Sequence, residues 1–223
     1  MKKYMGYTAA DIVSHLDHTL LSRTATVGDI EKLCEEAVRY GTASVCVPPC
    51  FVPVARAFDG SLTVCTVVGF PNGYCDGRVK CFETRLAAEA GADEIDMVIN
   101  TNMLKSGDIG AVSAEIEAVR RECEGRVLKV IVETCLLSFE EKLAAAHLVS
   151  GSRADFIKTS TGFSASGATA DDVALLVKEC RGKQIKAAGG ICTPDDGALF
   201  LTLGAGRLGS SSLLGMLKAD IES

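Results

Sequence analysis

Short apolar runs recur along the chain, and each is followed by a loop and then by a stretch with apolar residues at helical spacing. Period-two runs predict strands, while recurrence at three and four residues predicts amphipathic helices. The runs are Leu16 to Leu20, Ala43 to Val47, Leu62 to Val68, Glu94 to Ile99, Val127 to Glu133, Asp155 to Ser160, Gln184 to Ala187 and Arg207 to Gly209. The helical stretches are Val27 to Tyr40, a short piece after Cys50, Arg78 to Ala90, Ile109 to Glu122, Ser138 to Val149, Thr169 to Cys180, Thr193 to Leu203 and Ser211 to Ala219. A further helix, Thr8 to His15, leads the chain. Boundary chemistry agrees: Thr26 can cap the helix that Gly41 ends, and Ser138 with Glu141 reads as a capping box.

Eight strands alternating with eight helices, at about 25 residues per unit, demand parallel pairing through right-handed crossovers. The count and the 223-residue length fit one α/β domain over residues 1–223, a closed (β/α)8 barrel of the TIM type with a short leading N-terminal helix. A doubly wound open sheet is the competitor; it often shows GxGxxG after its first strand, and that motif is missing here.

Composition narrows the function. The chain is 48% hydrophobic and 23% charged, with net charge −6, which argues against a nucleic-acid partner. No apolar run approaches the ~18 residues of a membrane span, and the N-terminus lacks a signal-peptide core, so a cytoplasmic protein with no membrane partner is expected. The ten cysteines form no CxxC pair or Cys/His cluster of zinc spacing. They read as reduced, mostly packing thiols, and no metal or cofactor is expected.

Strand alternation sorts the polar residues by face. In Glu94 to Ile99 the residues Ile95, Met97 and Ile99 suit the helix side and turn Glu94, Asp96 and Val98 inward. Lys129, Ile131 and Glu133 share a face, as do Phe156 with Lys158 and Gln184 with Lys186. The interior near the strand ends should then gather Asp17, Asp96, Glu133, Lys129, Lys158 and Lys186. Burying an ammonium costs several kcal/mol unless it is paired or loses its proton. A purely structural ion network is one explanation. The other is amine chemistry: a lysine attacks a carbonyl only when unprotonated, and a second nearby cation favours that form. Lys158 and Lys186, on adjacent strands, have the arrangement of a class I aldolase, with Asp96 placed to move protons.

Three glycine loops supply a second half-site. Gly162, then Gly189 and Gly190, then Gly209 with Ser211 and Ser212 all follow late strands, where backbone N–H groups and a helix N-terminus can cradle phosphate. Alternation sends His18 to the helix side, opposite Asp17, and turns Cys46 inward with Ser44.

The runs Phe156-Ile157-Lys158-Thr159-Ser160-Thr161-Gly162-Phe163, Gly91-Ala92-Asp93-Glu94-Ile95-Asp96-Met97-Val98-Ile99-Asn100, Lys129-Val130-Ile131-Val132-Glu133-Thr134 and Lys186-Ala187-Ala188-Gly189-Gly190-Ile191 resemble the deoxyribose-phosphate aldolase family. The match runs from Asp17-His18-Thr19 to Gly209-Ser210-Ser211-Ser212. The resemblance implies a metal-independent class I aldolase of deoxyribonucleotide catabolism, acting on a small phosphorylated sugar and forming a homodimer. It implies Lys158 as the Schiff-base lysine, Lys186 as the lysine that tunes it and Asp96 in proton relay. Asp17, Thr19, Cys46, Lys129, Glu133 and Thr159 are expected around the substrate, and Gly162, Gly189, Gly190, Gly209, Ser211 and Ser212 around its phosphate. The chain departs from the family pattern at Asn102, Ser164 and Ser166, where glycines are usual, and at Cys192, where arginine is frequent.

Overall fold

In the computed structural model, which describes residues 2–223, eight parallel strands close on themselves: Leu16–Thr19, Ser44–Val47, Val64–Val68, Glu94–Val98, Val127–Ile131, Phe156–Lys158, Gln184–Ala188 and Arg207–Ser210. The eighth returns to the first, with Leu208 opposite Leu16 and Gly209 opposite Asp17. Closure leaves no barrel edge with unpaired backbone groups. The register sets the height of every inward residue. Asp96 lies opposite Lys129, Ile131 opposite Lys158, and Lys158 directly opposite Lys186.

The barrel's outer face is apolar because helices cover it. Ile95, Met97, Leu128, Val130, Ile157 and Ile185 all join one continuous core with the helix faces. A small separate group of Cys46, Cys65 and Val67, backed by Leu21 and Phe70, sits apart from that core. Much of the remaining interior belongs to charged side chains.

The sequence-level elements recur with small shifts. Thr26 and Asp29 close a capping box, Gly41 ends that helix at φ 70, and Ser138 with Glu141 closes another. The leading helix is Ala9–Ser14, capped by Thr8 and packed on the last two helices. A hairpin of Lys3–Tyr4 and Tyr7–Thr8 precedes it, and a five-residue helix, Thr101–Lys105, follows the fourth barrel strand. Neither was foreseen: the hairpin strands are two residues each, and Asn100, which caps the short helix, adjoins an apolar run that reads as strand. The last helix is Leu213–Ile221, starting later than expected because Ser210 Oγ accepts the N–H groups of Ser212 and Leu213. The fifth strand stops at Ile131, short of Glu133, whose φ of 54 breaks the extended chain. No helix among the described residues is long and apolar enough to cross a membrane.

A fully buried cation lies outside the barrel interior. Lys80, on the helix Gly77–Glu89, donates to the Val98 carbonyl at 2.8 Å and pairs with Glu115 at 2.7 Å. It passes under Gly69, where a Cβ would meet its Cε at 2.8 Å. Lys80→Ala strands the nearly buried Glu115 carboxylate, so urea unfolding should show a loss of about 3–5 kcal/mol. Glu115→Gln in a Lys80→Met background should recover part of it.

Candidate active site

Inside the barrel, three carboxylates and four cationic side chains interlock. Asp96, from the middle of the fourth strand, is fully buried and uses both oxygens. Its Oδ1 accepts from Lys129 Nζ at 2.8 Å, and its Oδ2 accepts from both Lys158 and Lys186 at 2.7 Å. Asp17 of the first strand takes Lys186 and Arg207, as well as the Ser44 hydroxyl at 2.7 Å. Glu94 takes Lys129 at 2.5 Å and Arg207 at 2.9 Å.

Burial alone would raise the Asp96 carboxyl, but Lys129, Lys158 and Lys186 outweigh it and hold the group well below the usual carboxylate range. Asp17 behaves likewise, with Lys129, Lys186 and Arg207 overcoming the burial. The same attractions act in reverse on the lysines. Burial works to neutralise Lys186, and Asp17 and Asp96 overcome it and push it above the ordinary lysine value; Lys129 is pushed well above for the same reason. Cys65 donates to Asp96 Oδ1 at 3.2 Å, and burial raises its thiol. Cys46, Cys65 and Asp96 lie close enough to share a metal ion, as do Asp17, Cys65 and Glu94, but these carboxylates are already engaged by ammonium and guanidinium groups.

A cavity of about 600 Å³ opens above this lattice at the C-terminal ends of the strands. Of the three interior lysines, Lys158 alone lines it. Thr19, Gly162, Gly189, Gly190, Gly209, Ser211 and Ser212 also line it. The left-handed φ values of Gly162, Gly189 and Gly190, at 84, 82 and 73, are open to glycine at little cost. The sixth and seventh loops meet backbone to backbone: a Cβ on Gly167 would lie 2.1 Å from the Gly189 carbonyl oxygen. Gly209 serves differently. A Cβ there would come within 3.1 Å of Lys186 Cε, so its bareness makes room for the lysine stem.

Several expected site residues stand elsewhere. Glu133 is buried away from the lysine lattice, where its carboxylate accepts the Thr161 hydroxyl at 2.5 Å and the Thr161 N–H at 3.2 Å. It thereby braces the sixth loop and borders a neighbouring cavity of about 240 Å³. Glu94 occupies the place in the lattice that strand alternation had given to Glu133. The side chain of Thr159 is spent on the Ala188 backbone, tying the sixth strand to the seventh. Lys129, Asp17 and Cys46 are buried and do not line the cavity. Arg207 and Ser210 went unrecognised. Arg207 opens a strand, where an arginine reads as a surface residue; inward alternation with Gly209, the partner of Asp17, is the signal that could have found it. His18 faces the helices, as expected, with Nε2 3.0 Å from Glu36.

A family model described as DeoC/LacD family aldolase matches residues 12–203. The chain belongs to that family. It is 48% identical over 212 residues to a deoxyribose-phosphate aldolase of Streptococcus pyogenes serotype M5 (strain Manfredo), covering 94% of this chain and 95% of that protein. Among solved structures, a putative deoxyribose-phosphate aldolase from Coccidioides immitis superposes with TM-score 0.92 at 36% identity, over 96% of this chain and 86% of the other. A deoxyribose phosphate aldolase from Aeropyrum pernix, described as a unique tetramer, gives TM-score 0.87 at 31% identity, over 97% and 93%. Aldolases of this family thus share the barrel in which the lysine lattice lies.

The lattice predicts a specific pH dependence of stability. Asp17 and Asp96 titrate lower in the folded protein than in the unfolded chain, where carboxyls titrate near ~3.9. Their contribution is therefore fully present above that pH and is lost as pH falls toward the folded values. The raised Lys129 and Lys186 contribute fully below ~10.4, and that contribution is lost as pH rises through their folded values. Chemical denaturation across pH should show both limbs, and Asp17→Asn should lower stability at neutral pH and flatten the acid limb.

Proposed function

We propose that the chain is a class I aldolase reversibly cleaving 2-deoxy-D-ribose 5-phosphate to acetaldehyde and D-glyceraldehyde 3-phosphate, with Lys158 as the Schiff-base nucleophile. The observation that carries this reading is the position of Lys158. It lines the cavity while sharing Asp96 Oδ2 with a second, deeper lysine. The 48% identity to a named deoxyribose-phosphate aldolase supports the substrate.

Charge counting supports the amine. With all groups ionised the lattice holds four cations (Lys129, Lys158, Lys186, Arg207) against three anions (Asp17, Glu94, Asp96). Taking one proton from Lys158 leaves three against three. Lys186, the tuning cation, stays charged between Asp17 and Asp96. The lattice would thus lend Lys158 a neutral amine without discharging any deeper pair.

The steps follow from the open-chain sugar. Lys158 Nζ attacks the aldehyde carbon, and the carbinolamine loses water to give an iminium. The C2–C3 bond then breaks as the C3 hydroxyl gives up its proton to Asp96, directly or through a water. The bonding electron pair flows into the iminium and leaves an enamine on Lys158, while C3 becomes the aldehyde carbon of glyceraldehyde 3-phosphate. The enamine carbon takes a proton back, and water releases acetaldehyde from the lysine. Asp96 suits the relay by position, since its Oδ2 accepts from Lys158 Nζ at 2.7 Å. Thr19, beside Asp17, faces the sugar hydroxyls, and Gly162, Gly189, Gly190, Ser211 and Ser212 face the phosphate.

Borohydride reduction in the presence of acetaldehyde or 2-deoxyribose 5-phosphate should fix a stable adduct on Lys158, located by peptide mass spectrometry. Lys158→Ala should lose the adduct and lower kcat by on the order of 10³-fold or more. A folded protein that yields no adduct anywhere would sink the proposal and leave a barrel whose lattice is structural. Lys186→Leu removes the deep cation and should cost on the order of 10²-fold in kcat.

A further inference from the structure

The wall of the Lys158 cavity is formed by Thr19 to Thr24, by Thr161 to Phe163, by Ala188 to Cys192 and by Gly209 to Ser212. Among the described residues, no carboxylate lines this cavity, and two cations do: Lys158 at its floor and Arg23 in the first loop. The sixth, seventh and eighth loops offer the cavity backbone and hydroxyl groups but no charge. A phosphate dianion set against them alone would keep its full charge in a partly desolvated cleft.

Arg23 is presented for this task. The first loop turns sharply, with Ala25 N donating to the Ser22 carbonyl at 3.2 Å and Thr24 N donating to Ser22 Oγ at 3.2 Å. The Ser22 and Thr24 hydroxyls are 2.9 Å apart and hold the turn that carries Arg23. Arg23 is exposed and makes no ion pair among the described residues. The next acid further along the chain, Asp29, is spent on the Thr26 cap at 2.8 Å. Barrel closure brings this turn beside the eighth loop: Ser22, Thr24 and Ser211 line one adjoining cleft.

We propose that Arg23 is the phosphate-recognising side chain of this site and sets its preference for phosphorylated over unphosphorylated aldehydes. The proposal rests on the aldolase reading above and deepens it. A guanidinium offers paired N–H donors that match two phosphate oxygens, and the Arg23 turn stands beside the eighth loop. Arg23 touches the charged end of the substrate and stands outside the lattice that activates Lys158. Its loss should therefore raise KM for the phosphorylated sugar more than it lowers kcat.

The test compares the full chain with Arg23→Gln and Arg23→Lys on 2-deoxyribose 5-phosphate and on 2-deoxyribose. Arg23→Gln should reduce the ratio of kcat/KM for the two substrates by on the order of 10-fold to 30-fold, mostly through KM, and Arg23→Lys should restore part of it. Affinity for inorganic phosphate, measured by calorimetry, should fall in parallel and should lose much of its dependence on ionic strength. An unchanged ratio with unchanged phosphate affinity would overturn the proposal, as would equal losses on both substrates. The acetaldehyde adduct on Lys158 separates the two readings. If wild-type protein forms no adduct, the aldolase reading fails, and the phosphate titration alone then decides whether Arg23 holds the anion.

Discussion

One buried carboxylate organises the barrel. Asp96 sits at full burial and accepts from three ammonium groups on three different strands. An isolated charge there would cost several kcal/mol, and each of the lysines alone would cost as much. Together they are mutually satisfied, and Asp17, Glu94 and Arg207 extend the network to the first and eighth strands. The arrangement requires that the barrel close in one register, because a shift of one residue would turn these side chains toward the apolar helix layer. The lattice is therefore a device for specifying the fold as well as a chemical site. Its members are distributed so that only the lysine nearest the opening has a single carboxylate partner.

Above the lattice, contacts between side chains brace the loops. Glu133 holds Thr161, the Thr161 hydroxyl in turn accepts the Phe163 N–H at 3.1 Å, and the Phe163 ring stands edge-on to Phe70 at 5.2 Å. This chain of contacts starts from a residue with left-handed backbone and ends at an aromatic pair of which Phe163 borders the cavity. It fixes the loop that carries Gly162. Lys158 lies at the base of the cavity, and neutral donors stand with Arg23 around its rim.

The strands and the lysine pair were legible in the sequence for a physical reason. A cation inside a short apolar run is costly enough that Lys158 and Lys186 announce themselves, and alternation then places Asp96 and Lys129 on the same side. The same alternation failed at Glu133, because the strand ends two residues earlier and the backbone turns left-handed. Arg207 escaped notice at a strand start, where charged residues are ordinary, while Glu94 was turned inward by alternation but not counted among the clustered charges. Ser210 was hidden because its work is local, capping a helix that seemed to begin sooner. What a single sequence conceals is the geometry of loops, since Gly167 against Gly189 is a contact between residues distant in the chain.

That contact has a bearing on how such a cavity can be reshaped. The sixth and seventh loops are fused at a seam with no room for a methyl group, so neither can be redesigned without the other. Diversity introduced on that side would mostly be spent on misfolded variants. The first loop, which carries Leu21, meets the cavity through side chains and can change size one position at a time. An evolving or engineered pocket would therefore acquire new substrates from the Leu21 side and leave the glycine seam untouched.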